Sequence, residues 1–308
     1  MVSWWAWVLV LGSLGVLLAL DLATGRVRAR RALRAALLTS AAWIACSVLF
    51  GVVVAAWQGR DAATQYFAGY LLEKALSIDN MFVFAVIFTS LGVPRELQHR
   101  VLHYGVVGAL VLRAGLIAGG AALIDRFSWT VYAFGTILLV AGARMFRGAH
   151  VRPQRNVVLK AVGRLVPIRP ELDGTRFMTT ENGRRVGTGL LMALVTIETT
   201  DLVFATDSIP AIFGITRDFF IVFTSNAFAV LGLRSLYFLL AEAMDRFVHL
   251  TKGLALLLVL IGVKMLASDV VEIPVAAMLG TIVVVIGVSV WASVRSTRRD
   301  PVTGGTER

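Results

Sequence analysis

The 308-residue chain has one cysteine, four histidines, seven prolines and few charges. Charged residues make up 16% of it, against about 25% in a soluble domain. A soluble enzyme of this length would need more charge to cover its surface. The single Cys46 excludes an internal disulfide and a cysteine-cluster zinc site. No GxxxxGK[ST] string is present, which argues against ATP as the direct energy source. What the chain has in excess is apolar side chains, 57% of all residues. They lie in long runs, and this excludes disordered, collagen-like and coiled-coil classes.

A bilayer core needs about 20 mostly apolar residues per helix. The sequence predicts an all-α, polytopic membrane protein with about nine such spans, near 3–23, 35–57, 66–92, 99–122, 128–146, 187–214, 219–241, 252–267 and 273–294. The first is read as a span rather than a signal peptide, because MVSWWAWVLV lacks a basic n-region. Trp4, Trp5, Trp7, Trp57, Tyr66, Trp129 and Trp291 fall near span ends, where interfacial aromatics belong.

Lys and Arg total 30 against 19 Asp and Glu, a formal charge of +11. In a soluble chain that excess would point to nucleic acid. Here 22 of the basic residues fall on one side of the predicted spans and only Arg60, Arg126 and Arg217 on the other. By the positive-inside rule this places the N-terminus outside and the C-terminus in the cytoplasm. The basic excess is therefore a topology signal, and no nucleic-acid partner is expected.

Ten ionisable residues fall inside the spans: Glu73, Lys74, Asp79, Arg113, Arg144, Glu198, Asp201, Asp207, Arg234 and Lys264. Each costs at least about 2.5–3.5 kcal/mol at a helix centre if it faces lipid. They must face one another, the bundle interior or water. Arg144 and Lys264 lie near span ends and are expected to snorkel. Asp21 is either a vestibule acid or a partner of Arg26.

Two stretches repeat. Arg113 in GALVLRAGL matches Arg234 in AVLGLRSLY, and DRF at 125–127 matches DRF at 245–247. GARM at 142–145 matches GVKM at 262–265, at the same 16-residue distance from the preceding DRF arginine. Each copy spans three helices, so two copies would sit in opposite orientations, a recurring transporter design. The organisation expected is an N-terminal part (1–65), a first repeat (66–146), a basic cytoplasmic segment (147–186), a second repeat (187–267), and a last helix with a tail (268–308). The basic segment should carry an amphipathic helix around 158–166 and a hairpin at RFMTTENGRRV, where Asn182-Gly183 is a type I′ turn signal. The tail after Trp291 is expected to be disordered.

In the third span, EKALSIDN places Glu73, Ser77 and Asn80 on one helical face, with Asp79 rotated away. In the sixth, ETTDLVFATDSIP places Glu198, Asp201 and Ser208 on one face. Pro210 should break that helix at 206–210 and re-aim Asp207. Five carboxylates with Asn80, Ser77 and Ser208 make a hard oxygen set, which suits Mn²⁺, Mg²⁺ or Ca²⁺ rather than zinc or copper. One or two of the acids are expected to pair with Lys74, Arg113 or Arg234 instead.

EKALSIDNMFVF, ETTDLVFATDSIPAIFGIT, SNAFAVLGLRSLYFLL and IGVKML together resemble the TerC family of tellurium-resistance and Alx-type membrane proteins, over about 70–266. DLATGR at 21–26 fits more loosely. The resemblance implies a LysE-like transporter and a link to manganese export and to metal loading of exported enzymes. It carries over Glu73, Asp79, Asn80, Glu198, Asp201, Asp207 and Ser208 as the site candidates, without assigning which of them touch metal; Lys74, Arg113 and Arg234, read from their charge within the spans, are the charge-compensating groups. The expected function is divalent-cation export across the inner (plasma) membrane, Mn²⁺ first, possible as exchange for protons, with no resident cofactor and no enzymatic activity. Two alternatives stand beside it. One is an assembly subunit that supports metal loading of exported proteins or a tellurite-stress complex, with membrane or secretion-machinery partners. The other is a membrane enzyme acting on tellurium oxyanions, against which the lone cysteine and missing cofactor motif argue.

Overall fold

The computed structural model describes residues 3–24, 32–147, 167–181, 183–240, 250–270 and 273–299. The chain is mostly helical. In order run α1 (Trp4–Thr24), α2 (Ala32–Gln58), α3 (Arg60–Ser90), α4 (Arg95–Arg126) and α5 (Thr130–Phe146). A hairpin of β1 (Met178–Glu181) and β2 (Arg184–Gly187) follows. Then come α6 (Gly189–Phe213), α7 (Phe219–Val230), α8 (Leu233–Leu240), α9 (Leu250–Leu266) and α10 (Val275–Arg299).

Four helices are long and apolar enough to cross a membrane, and the bent pair α7–α8 makes a fifth candidate. The others are shorter or carry more charge. Large apolar side chains such as Leu9, Leu38, Val111, Val284 and Val288 stand exposed along α1, α2, α4 and α10. An exposed apolar surface of this extent has its natural solvent in lipid.

The centre of the bundle is α3, which packs against α2, α6, α7 and α10, while α4 packs against α6 and α5 against α9. One core joins α3, α4, α5, α6, α9 and α10 through Leu72, Ile117, Leu138, Ile212, Ile261 and Ile282. A second, around Phe84, Phe88, Val101, Leu190 and Tyr237, holds the far half of α3 to α4, α6 and α8. A third gathers α1, α2 and α7 around Trp43, Tyr66 and Phe228. α5 and α9 touch backbone to backbone. A Cβ on Gly262 would stand 2.9 Å from the Gly135 carbonyl oxygen, and one on Gly142 would stand 2.8 Å from that of Ala255. Partner numbers fall on one helix as they rise on the other, so the two run antiparallel.

Three expectations need correction. Helix α6 runs through Pro210 without a break. The proline sits in the last turn, where only one ladder bond is lost, and Ile209, Ala211, Ile212 and Phe213 around it are all buried and hold the turn in place. The break lies instead in the seventh span, where α7 and α8 meet at 41°. Gly232 there has φ +76, and an added Cβ would stand 2.7 Å from the Trp43 ring. Only glycine meets both the left-handed backbone and the close indole. Finally, Tyr66 is no interfacial aromatic but fully buried, because its hydroxyl donates to the Ser47 carbonyl and its ring packs on Phe50 and Phe228. Trp4, Trp5, Trp57, Trp129 and Trp291 are exposed.

The hairpin forms as expected, with Glu181 opposite Arg184 and Gly183 at φ +77. The amphipathic segment at 158–166, the second DRF string, Asn182 and the tail from 300 lie outside the described residues, as does the Asp21 side chain.

Candidate metal site

Helix α4 carries Arg113 into the gap between α3 and α6. The side chain is 2% exposed, and the residues it meets, Glu73 on α3 and Asp201 on α6, are 0% and 5% exposed. Nε of Arg113 donates to Oδ2 of Asp201 at 3.0 Å and Nη2 donates to Oδ1 at 2.9 Å. This is a bidentate fork, the geometry in which a guanidinium recognises a carboxylate best. The remaining terminal nitrogen, Nη1, donates to Oε1 of Glu73. One cation thus ties together two acids from two different helices.

Asp201 and Glu73 have equivalent positions in their motifs. Glu73 is followed after six and seven residues by Asp79 and Asn80, and Asp201 after six and seven by Asp207 and Ser208. This E/D-x5-D-N/S spacing is a further sequence signal of equivalence, beside the DRF and Gly-x-basic-Met strings.

Glu198, one turn before Asp201, differs from both. Neither of its carboxylate oxygens has a hydrogen-bond partner. It faces α4 across two glycines: a Cβ on Gly108 would stand 2.6 Å from both oxygens, and one on Gly105 3.5 Å from Oε1. Gly105, Gly108 and their role in admitting a carboxylate were not read from the sequence. Glu198 and Asp201 line a small crevice with Phe84, Leu102, Val106 and Ile197. The second oxygen of Glu73 and the hydroxyls of Ser77 and Ser208 are also buried without partners. Buried polar atoms are paired in most structures, so a group of orphan oxygens asks for an explanation.

Asn80 is buried on α3 and Arg234 on α8. Asp207 is half-buried, about 9 Å along the helix from Asp201. The side chain of Asp79 lies outside the described residues. Lys74 meets no carboxylate among the described residues; its Nζ donates to the backbone carbonyls of Ala229 and Leu231. Nζ of Lys264 donates to the carbonyl of Gly214 at 2.9 Å, just past the end of α6. Cations near a helix C-terminus bond its last carbonyls and interact favourably with its dipole. Among the described residues no three His, Cys, Asp or Glu side chains converge closely enough to hold a metal ion. Arg113 stands between the two acids that come nearest to doing so.

The model of the integral membrane protein TerC family matches residues 58–301. The chain belongs to the TerC family. An uncharacterised membrane protein of Myxococcus xanthus is 43% identical over 290 residues, covering 93% of this chain and 91% of the relative. One from Rickettsia bellii is 38% identical over 294 residues, covering 94% and 97%. One from Mycobacterium tuberculosis is 42% identical over 240 residues, 76% of this chain and 60% of the relative. No solved structure matches the chain. The family match contains every residue of the cluster, and the relatives establish a multi-pass integral membrane protein.

Proposed function

We propose that this TerC-family protein exports divalent cations, Mn²⁺ first, through the space between α3 and α6. The observation that carries this reading is a set of buried oxygens without donors, both of Glu198, the second of Glu73 and the hydroxyl of Ser77 one turn from Glu73, with Glu73 and Asp201 tied by one guanidinium. These are hard oxygen donors of the kind Mn²⁺ and Mg²⁺ take. Glu73 and Asp201 are the shared partners of Arg113 and of the cargo. A doubly charged ion would displace the guanidinium and draw in Glu198, and Arg113 would restore the charge balance after release. Asp79, Asn80, Asp207 and Ser208, one to two turns further along the same helices, would receive the ion on its way. Protonation of acids as the metal leaves would couple export to the proton gradient.

Alternating access needs two units that rock against each other, and the helix packing supports an inverted pair within a nine-span chain. α3 packs on α7 as α4 packs on α6, and α5 packs on α9. Moving 120 residues along the chain carries Gly135 to Ala255 and Gly142 to Gly262. The two close approaches of α5 and α9 thereby exchange. That is the behaviour expected of a two-fold axis in the membrane plane.

Purified protein in sealed liposomes should transport Mn²⁺ at a rate well above protein-free vesicles, with Mg²⁺, Ca²⁺ and Zn²⁺ compared in parallel. An assembly subunit would move no ion alone, and an enzyme acting on tellurium oxyanions would turn over tellurite without metal flux. We place the protein in the inner membrane with its N-terminus outside. In a Cys46-free background, cysteine at Arg60 or Asp218 should then react with an impermeant thiol reagent from outside and cysteine at Arg155 should not; the reverse pattern would invert the orientation.

A further inference from the structure

The break between α7 and α8 leaves backbone carbonyls without their helical partners, inside the bundle. A carbonyl at the C-terminal end of α7 carries the negative end of that helix's dipole. The turn at 231–232 stops the ladder, so the carbonyl of Ala229 no longer meets a regular donor four residues on. Nζ of Lys74, reaching across from α3, stands 2.9 Å from the Ala229 oxygen and 3.3 Å from the Leu231 oxygen. Among the described residues this ammonium meets no carboxylate. A partly buried positive charge held by main-chain carbonyls at a helix end resembles the environment that membrane transporters build for a small monovalent cation, from unwound backbone and half-helix C-termini.

We infer that the α7–α8 break is a monovalent-cation site whose permanent occupant is the protein's own Lys74. The carbonyls of Ala229 and Leu231 supply ligand oxygens, the dipole of α7 supplies the field, and the lysine stem tethers the charge. Gly232 makes the break possible, and the Trp43 side chain packs against it. A tethered cation does not dissociate, so the site takes no Na⁺ or K⁺ from solution. If the export reading is right, that export needs neither ion on either side of the membrane.

The substitution Lys74→Ala removes the equivalent of propylammonium and leaves the carbonyls facing a vacated space. In detergent extracts of a fluorescently tagged full-length chain, melting temperature would be measured in Na⁺, K⁺, n-propylammonium or choline chloride at equal ionic strength. The wild type should melt at one temperature in all four. Lys74→Ala should melt lower in choline and rise with Na⁺, K⁺ or propylammonium, by about 2–4 °C at some five times the dissociation constant. Lys74→Met keeps the stem and fills the space, so it should not respond to propylammonium. Selective stabilisation of the wild type by Na⁺ or K⁺ would overturn the inference. So would an Ala variant indifferent to all four cations, or a Met variant that responds to propylammonium as the Ala variant does. The same tagged extract serves a poorly accumulating variant, and the wild-type arm stands by itself. Mn²⁺ flux of the wild type in liposomes with choline replacing Na⁺ and K⁺ separates the two ideas. Flux that requires Na⁺ or K⁺ sinks this inference and leaves export standing, whereas cation-responsive melting without any flux sinks export and leaves the site.

Discussion

Arg113→Met should remove most of the protein from the membrane. The substitution keeps an apolar stem of similar length but leaves Glu73 and Asp201 buried, close together and without a counter-charge. Breaking a buried pair by deleting one partner costs about 3–5 kcal/mol, and here one cation serves two acids. That is a large share of the roughly 5–15 kcal/mol by which a folded domain is stable. Arg113→Lys should fall between, because a lysine cannot make the fork to Asp201 and reach Glu73 at the same time. Neutralising all three members in the triple variant Arg113→Met, Glu73→Gln, Asp201→Asn should restore abundance and melting temperature toward wild type, since an apolar or neutral replacement of a whole buried ion cluster is often tolerated. Membrane abundance and detergent melting curves check this. A triple variant no more stable than Arg113→Met would mean that the guanidinium does not balance these two acids.

Glu198→Gln should behave in the opposite way: stability kept or raised, transport lost. Glu198 is an acid without a donor, held against Gly105 and Gly108. Burying an unpaired carboxylate is costly, so an amide of the same shape should not destabilise the fold. As a metal ligand, however, an amide is far weaker. Loss of Mn²⁺ affinity should be at least the roughly 10–100-fold that removing even a supporting group around a metal costs. Asp201→Asn and Glu73→Gln are less clean tests, because each also takes a partner from Arg113 and should lower abundance. A Glu198→Gln variant with reduced stability and normal transport would assign the residue to structure.

Much of the fold was legible because apolar runs and charge placement act over whole helices. The expected 187–214 span corresponds to Gly189–Phe213 and the 252–267 span to Leu250–Leu266. Local breaks were not legible. Pro210 carries a strong sequence signal but sits where a lost hydrogen bond matters little, whereas Gly232 is one glycine among the 28 in the chain. Its positive φ and its contact with Trp43 are visible only in three dimensions. That buried charges must find partners followed from bilayer energetics, and one cation did take two acids. Which acid would be left over did not follow, since Glu73, Asp201 and Glu198 are equally acidic on paper. Lys74 was grouped with the carboxylates because charge is written in the sequence and a free backbone carbonyl is not.

A buried carboxylate cluster that takes a divalent cation should bind Mn²⁺ at equilibrium in the purified protein. Mn²⁺ would be titrated into purified protein while free ion is followed by its paramagnetic resonance signal, for the wild type and Glu198→Gln side by side. The wild type should remove the free-ion signal saturably, and a Glu198→Gln protein that melts no lower should not. No binding by the wild type, or equal binding by both proteins, would contradict it.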